Sequence, residues 1–191
     1  MPKRSAGLLV WRRSTDGPEV LIVHPGGPFW ARKDDGAWSI PKGEIDDVTD
    51  EPIGVALREF REELGLEPPA ADAVVHLGEV RQSGGKIVSA WAVEGDADVS
   101  AIESNTFEME WPPRSGTRRS FPEVDRAGWF TVDEARTKLV AAQATFLDRL
   151  VAALEASPDP TEAVRNDEGR NDEGRNDEGR NDEGRPGGLP S

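Results

Sequence analysis

Residues 38–66 read WSIPKGEIDDVTDEPIGVALREFREELGL, and the second half of this stretch predicts an amphipathic helix. Ile53, Ala56, Leu57, Phe60 and Leu64 collect on one side, the spacing of a face that packs on a core. The helix is expected to open near Asp50 or Glu51, with Pro52 tolerated in the first turn. Gly65 supplies a left-handed stop, and Pro68-Pro69 follow it. Away from the apolar side, Glu59, Glu62 and Glu63 stand at i, i+3 and i+4. Like charges at these spacings repel by about 0.2–0.5 kcal/mol per pair. A hard divalent cation with oxygen ligands would relieve that repulsion. So would a solvated acidic face eased by an Arg58–Glu62 pair, and the helix by itself does not choose between them.

The residues around the helix do. Gly43 precedes Asp50 by six intervening residues, and seven more lead to Arg58-Glu59-Phe60-Arg61-Glu62-Glu63-Leu64-Gly65-Leu66. This resembles the Nudix box, G-x5-E-x7-R-E-U-x-E-E-x-G-U, where U is a bulky aliphatic residue. The second half matches position by position, with Phe60 in the first aliphatic place. The first half carries one extra residue, and its acidic position is held by Asp50 or, with the insertion shifted by one, by Glu51.

Working outward, Ala6 to Trp11 and Val20 to Val23 are aliphatic runs joined through Ser14-Thr15-Asp16-Gly17-Pro18, a hairpin signal. His24 to Gly36 reads as a long loop, a feature that is usually functional in a compact domain. Ala37 to Ile40 is expected as a short strand, Val74–Val80 and Ile87–Val93 as a strand pair, and Val124 to Phe130 as a further extended piece. Phe107, Met109 and Trp111 alternate with glutamates, the period of a half-buried strand. Thr131 and Glu134 form a capping box opening a helix near 132–139, and a second helix is expected around 141–155. Strands, one helix, more strands and terminal helices predict an α+β or α/β sandwich. The resemblance implies the same fold, an α/β/α sandwich around a central mixed sheet.

A single domain is expected over residues 1–156. From Ser157 the character changes: Arg-Asn-Asp-Glu-Gly repeats four times from Arg165 to Gly184, with no apolar residue to bury. Residues 157–191 are therefore expected to be a low-complexity disordered tail.

Composition narrows the chemistry. The 191 residues contain no cysteine, which excludes disulfides, thiol nucleophiles and cysteine-ligated zinc. The net charge is −14, of which residues 165–191 contribute −3 through five Arg and eight acidic residues, leaving −11 for residues 1–164. An acidic domain offers no electrostatic footprint for nucleic acid or an anionic membrane. The apolar run Leu8 to Trp11 is too short for a signal segment, and no stretch approaches a membrane span, so a cytoplasmic location is expected.

The resemblance implies a metal-dependent hydrolase of phosphoanhydrides. Glu59, Glu62, Glu63 and the Gly43 carbonyl become the expected ligands of Mg2+ or Mn2+. Glu59, Glu62 and Glu63 with Arg58 become the catalytic group, Arg58 orienting the carboxylates. Glu59 is a candidate proton acceptor, with Glu108, Glu110 and Glu123 as candidates outside the box. Lys42, Arg32 and Lys33 are expected to meet substrate phosphates, and Arg114, Arg118 and Arg119 lie in expected loops that would complete the rim. Trp30, Trp38, Trp91 or Trp111 offers a face for a nucleobase, while His24 and His76 receive no role. The expected partner is a small nucleotide or another diphosphate compound. The chain has no tyrosine, whereas the dinucleoside-polyphosphate branch tends to carry one after its box. The Trp38-x-x-Pro41-Lys42-Gly43 entry is nonetheless like that of dinucleoside-polyphosphate and diphosphoinositol hydrolases. The remaining expectation is a nucleoside-triphosphate pyrophosphohydrolase, with those hydrolases or a non-catalytic nucleotide sensor as the alternatives.

Overall fold

A computed structural model describes residues 2–47, 49–70 and 73–156. Its centre is a six-stranded mixed sheet. The long β1 (Arg4–Ser14) pairs antiparallel with β2 (Gly17–Pro25) and with the short β3 (Lys42–Glu44), and parallel with β5 (Ile87–Glu94). Beyond β5 lies β4 (Val74–Arg81), and beyond β2 lies β8 (Val124–Thr131), giving the order β4-β5-β1-β2-β8 with β3 attached to β1. The expected hairpin joins β1 to β2 through Thr15-Asp16, and Gly17 takes the positive φ of 109° that the tight return requires.

Ala6, Leu8 and Val10 of β1 point to one face of the sheet with Leu21 and Val23 of β2. They pack against Val55, Ala56, Phe60 and Leu64 of α1 (Pro52–Leu64). The alternate residues Leu9, Trp11, Val20 and Ile22 are buried as well. The helix α3 (Ala144–Ala156) buries Phe146, Leu147 and Leu150. Arg149 of α3 donates to the carbonyls of Leu77 and Glu79 on β4. A layered α/β sandwich results.

The helix that decides the fold starts at Pro52 with Glu51 as its N-cap, and ends at Leu64 with Gly65 as its left-handed C-cap (φ 67°, ψ 14°). The capping box of α2 (Val132–Lys138) forms in full between Thr131 and Glu134. The expected second terminal helix is split into a 3-10 turn (Ala141–Gln143) and then α3.

Three expectations need correction. Ala37 to Ile40 makes only isolated bridges, Ser39 to Val23 and Trp38 to Leu139. The Ile40 N–H is given to the buried Gln143 side chain at 2.9 Å, and Pro41 has no N–H, so the strand begins only at Lys42. Arg118 and Arg119 do not lie in a loop but on β7 (Arg118–Pro122). The alternating segment at Phe107 forms β6 (Thr106–Glu110), which pairs with β7 alone as a separate hairpin and stops before Trp111.

The chain divides into two compact units, Met1–Ala153 and Leu154–Ser191. Of the second, the described residues are 154–156, the end of α3, so the expected tail over 157–191 lies outside the described residues. Among the described residues no helix is long and apolar enough to cross a membrane.

Candidate active site

Three elements bring the box residues together. β3 runs along β1, and α1 lies across that pair with its Phe60 and Leu64 in the core. This places Gly43 directly beneath Glu59. A Cβ on Gly43 would collide with the Glu59 carboxyl group, so only glycine lets the carboxylate rest on the strand. One turn on, Glu63 Oε2 accepts a hydrogen bond from the Lys42 N–H at 3.0 Å. Neighbouring residues of one strand thus hold two carboxylates of one helix.

Arg58 covers the group from outside. Its Nη2 lies 2.9 Å from Glu59 Oε1 and its Nε lies 3.7 Å from Glu62 Oε1. The hydrogen bond to Glu59 first, then the charges of Glu59, Glu62 and Asp50, hold its guanidinium pKa above the usual arginine value against a smaller loss to burial. Glu51 is the exposed helix N-cap, and Asp50 stands just ahead of it.

Burial dominates the inner carboxylate. Desolvation pushes the Glu63 pKa up to about 7, and the charges of Glu59 and Glu123 push it the same way, while the Lys42 ammonium and N–H oppose them. Burial lowers the Lys42 pKa in turn, against the attraction of Glu63, Glu59 and Glu44. Lys42 is half-buried at the strand end. Glu123, just ahead of β8, joins the cluster from the other side. Partial burial and the charges of Glu59 and Glu62 raise its pKa. Of the other carboxylates proposed outside the box, Glu108 pairs with Arg118 at 3.3 Å, and Glu110 accepts the Gly116 N–H at 2.7 Å, both within the hairpin.

The donors facing this point are carboxylates and a backbone carbonyl, an all-oxygen set of the type that suits Mg2+ or Mn2+. Among the described residues no three carboxylates converge closely enough to form a ready ligand group. Arg58 is shared by Glu59 and Glu62, and the Lys42 N–H holds Glu63. The Gly43 cradle nevertheless sets Glu59 against the strand that carries the carbonyl donor. The residues present fit a hard cation.

The substrate-side expectations divide. No hydrogen bond or ion pair joins Arg32 or Lys33 to the box carboxylates among the described residues; Lys33 Nζ lies 4.6 Å from the Trp30 ring centroid. Trp38 is in the core, its Nε1 donating to Asp34. Trp91 lies against His76, with ring centroids 4.9 Å apart. Sequence reasoning also passed over His24. It is fully buried, its Nδ1 lies 2.7 Å from Asp125 Oδ1, and its Nε2 donates to the Lys33 carbonyl at 2.8 Å. It ties the loop carrying Arg32 and Lys33 to β8. The only signal in the sequence was its place at the end of an apolar strand.

A family model described as the NUDIX domain matches residues 1–150. No curated relative matches the chain. Among solved structures, it is similar to an Ap4A hydrolase of C. elegans in a binary complex, at 18% identity and TM-score 0.55, over 80% of this chain and 98% of that one. It is similar to the NUDIX domain of Shewanella oneidensis NrtR complexed with ADP ribose, at 15% identity and TM-score 0.55, over 81% and 89%. A third, the Nudix hydrolase RenU of M. smegmatis, is 22% identical with TM-score 0.52, over 81% and 86%. At these identities the likeness is one of fold.

Proposed function

The chain belongs to the NUDIX domain family; from that premise we propose that it is a hydrolase of pyrophosphate bonds that cleaves nucleoside triphosphates to the monophosphate and pyrophosphate. The observation that carries this reading is the seating of Glu59 on Gly43 with Glu63 held by the Lys42 N–H. It supports a pre-positioned oxygen site between strand and helix.

Glu59, Glu62, Glu63 and the Gly43 carbonyl would hold a divalent cation, Mg2+ or Mn2+. When bound, such an ion neutralises charge on the phosphate oxygens of the anhydride. The chain's own residues do the rest. Arg58 restrains Glu59 and Glu62 so that their oxygens do not swing apart. Lys42, next to Gly43, offers positive charge to a phosphate brought to the carboxylates. The reaction adds a water oxygen to phosphorus and breaks the bridging P–O bond, whose oxygen leaves with the departing group. The water proton goes to a carboxylate, for which Glu59 and Glu123 are the candidates. Arg32 and Lys33 would bind substrate phosphates by reaching in from the loop after β2.

A second reading rests on the Trp38-x-x-Pro41-Lys42-Gly43 entry, which favours a dinucleoside polyphosphate or a diphosphoinositol compound. Phosphorus NMR on the products of a panel, with Mg2+ present, separates them. The proposal expects pyrophosphate from nucleoside triphosphates at rates well above those for the other two classes. Turnover confined to dinucleoside tetraphosphate or to a diphosphoinositol compound would replace it with the second reading.

A further inference from the structure

The β6–β7 hairpin carries a concentration of aromatic chemistry that the carboxylate site does not use. Phe107 and Phe121 are cross-strand partners with ring centroids 6.2 Å apart. Met109 opposite Arg119 continues the same face two positions on. That face meets the loop after β2. A Cβ on Gly27 would lie 3.1 Å from Phe107 Cζ, so the loop backbone passes close against the ring. Two residues further the Phe29 ring meets Trp111 edge to face, with centroids 5.3 Å apart at an interplanar angle of 85°. Phe29 is 57% exposed, the most exposed large hydrophobic side chain among the described residues. A lone exposed aromatic needs no explanation. Here, however, the ring is held in a fixed geometry by a second, half-buried aromatic.

The position of the pair gives it meaning. The Asn105 N–H, just ahead of β6, donates to the Glu62 carbonyl on α1 at 3.1 Å. The Glu123 N–H, just after β7, donates to the Asn105 carbonyl at 2.8 Å, and the Gly26 N–H donates to the Glu123 carbonyl at 2.9 Å. Hairpin and loop therefore both spring from the carboxylate site. Three residue steps lead from Gly26 to Phe29, a chain length that spans at most about 10–11 Å. That is the scale on which a nucleotide extends from its phosphates to its base.

We propose that the Phe29–Trp111 pair is the platform on which the nucleobase of the substrate stacks, with the phosphates at Glu59, Glu62 and Glu63. The inference rests on the nucleotide reading of the site and names the part of the substrate that reading leaves unplaced. Two rings expose too little area for a protein partner but match one heterocycle. Their contact with the site through Gly26 and Asn105 makes a small anionic ligand the natural occupant. Stacking engages the π-face that every base has, so the platform discriminates nucleotide from base-free polyphosphate more than it discriminates one base from another.

The test uses the full chain and two variants, Phe29→Ala and Trp111→Leu. Because Phe29 is exposed, its replacement leaves the core alone; circular dichroism checks both variants. The first readout is the preference for nucleoside triphosphate over inorganic tripolyphosphate, as a ratio of kcat/KM. The second is the Kd for a nucleoside monophosphate by calorimetry, which requires no turnover. Loss of a stacked ring is expected to lower the ratio and raise the Kd by about fivefold to 100-fold. A folded Phe29→Ala protein that keeps both values overturns the platform. A wild-type protein that binds the monophosphate, loses that binding in Phe29→Ala, yet hydrolyses no nucleotide overturns the hydrolysis reading and leaves the platform standing. A wild-type protein that shows no preference for nucleotide in either readout overturns the platform, whatever its activity on tripolyphosphate.

Discussion

Gly43 shows how much of the site rests on one hydrogen atom. Its missing side chain lets the Glu59 carboxyl group lie against the strand, and any Cβ there would push that group away. Gly43→Ala is therefore expected to leave the fold intact and lower kcat/KM by about 100-fold, the usual cost of misplacing a positioned group by about 1 Å. Steady-state kinetics with a matched melting curve measures it, and near-normal turnover would show that the contact is incidental. Sequence identified this glycine, the three glutamates and Arg58, because their chemistry is tied to fixed spacing along a helix. It could not foresee that the Lys42 N–H is taken by Glu63, because that depends on Glu63 arriving from another element. His24 escaped for the same reason: both its partners, Asp125 and the Lys33 carbonyl, come from other segments. Isolated in sequence, it is fully partnered in space.

At the scale of elements, α1 was legible from end to end, since its apolar face, its proline start and its glycine stop agree. The Gly65 stop is also the point where the hairpin is fastened. The Glu103 N–H donates to the Leu64 carbonyl, and a Cβ on Gly65 would stand 2.6 Å from the Glu103 carbonyl oxygen. Gly65→Ala should accordingly destabilise the protein by more than about 1 kcal/mol, from the left-handed backbone and the clash together. Urea denaturation reads this directly; an unchanged midpoint would mean that the chain after α1 yields freely. The pieces that sequence misjudged are those held by single side chains. Gln143 takes the Ile40 N–H and ends the expected strand there, and no local pattern around residue 40 announces a partner 103 residues away. Likewise Arg118 and Arg119 read as loop residues, because β7 is largely polar and exposed and, among the described residues, pairs with β6 alone.

For the whole molecule, the parallel pairing of β1 with β5 and the antiparallel pairing of β1 with both β2 and β3 make β1 the axis to which site and core both refer. The Arg-Asn-Asp-Glu-Gly repeats offer no apolar side chain for burial. Deleting residues 160–191 should leave the melting temperature and specific activity nearly unchanged. A fall of more than a few degrees would show that the repeats dock on the domain. The central claim concerns a smaller region, the carboxylates gathered over Gly43. Its most direct test is the turnover of Glu62→Gln and Glu63→Gln with nucleoside triphosphate under saturating Mg2+, each variant first checked for an unchanged fold. Each substitution keeps shape and removes a charged oxygen donor, so kcat should fall by about 100-fold or more in both. Near-wild-type rates in both folded variants would contradict the assignment of these glutamates to the metal and to catalysis.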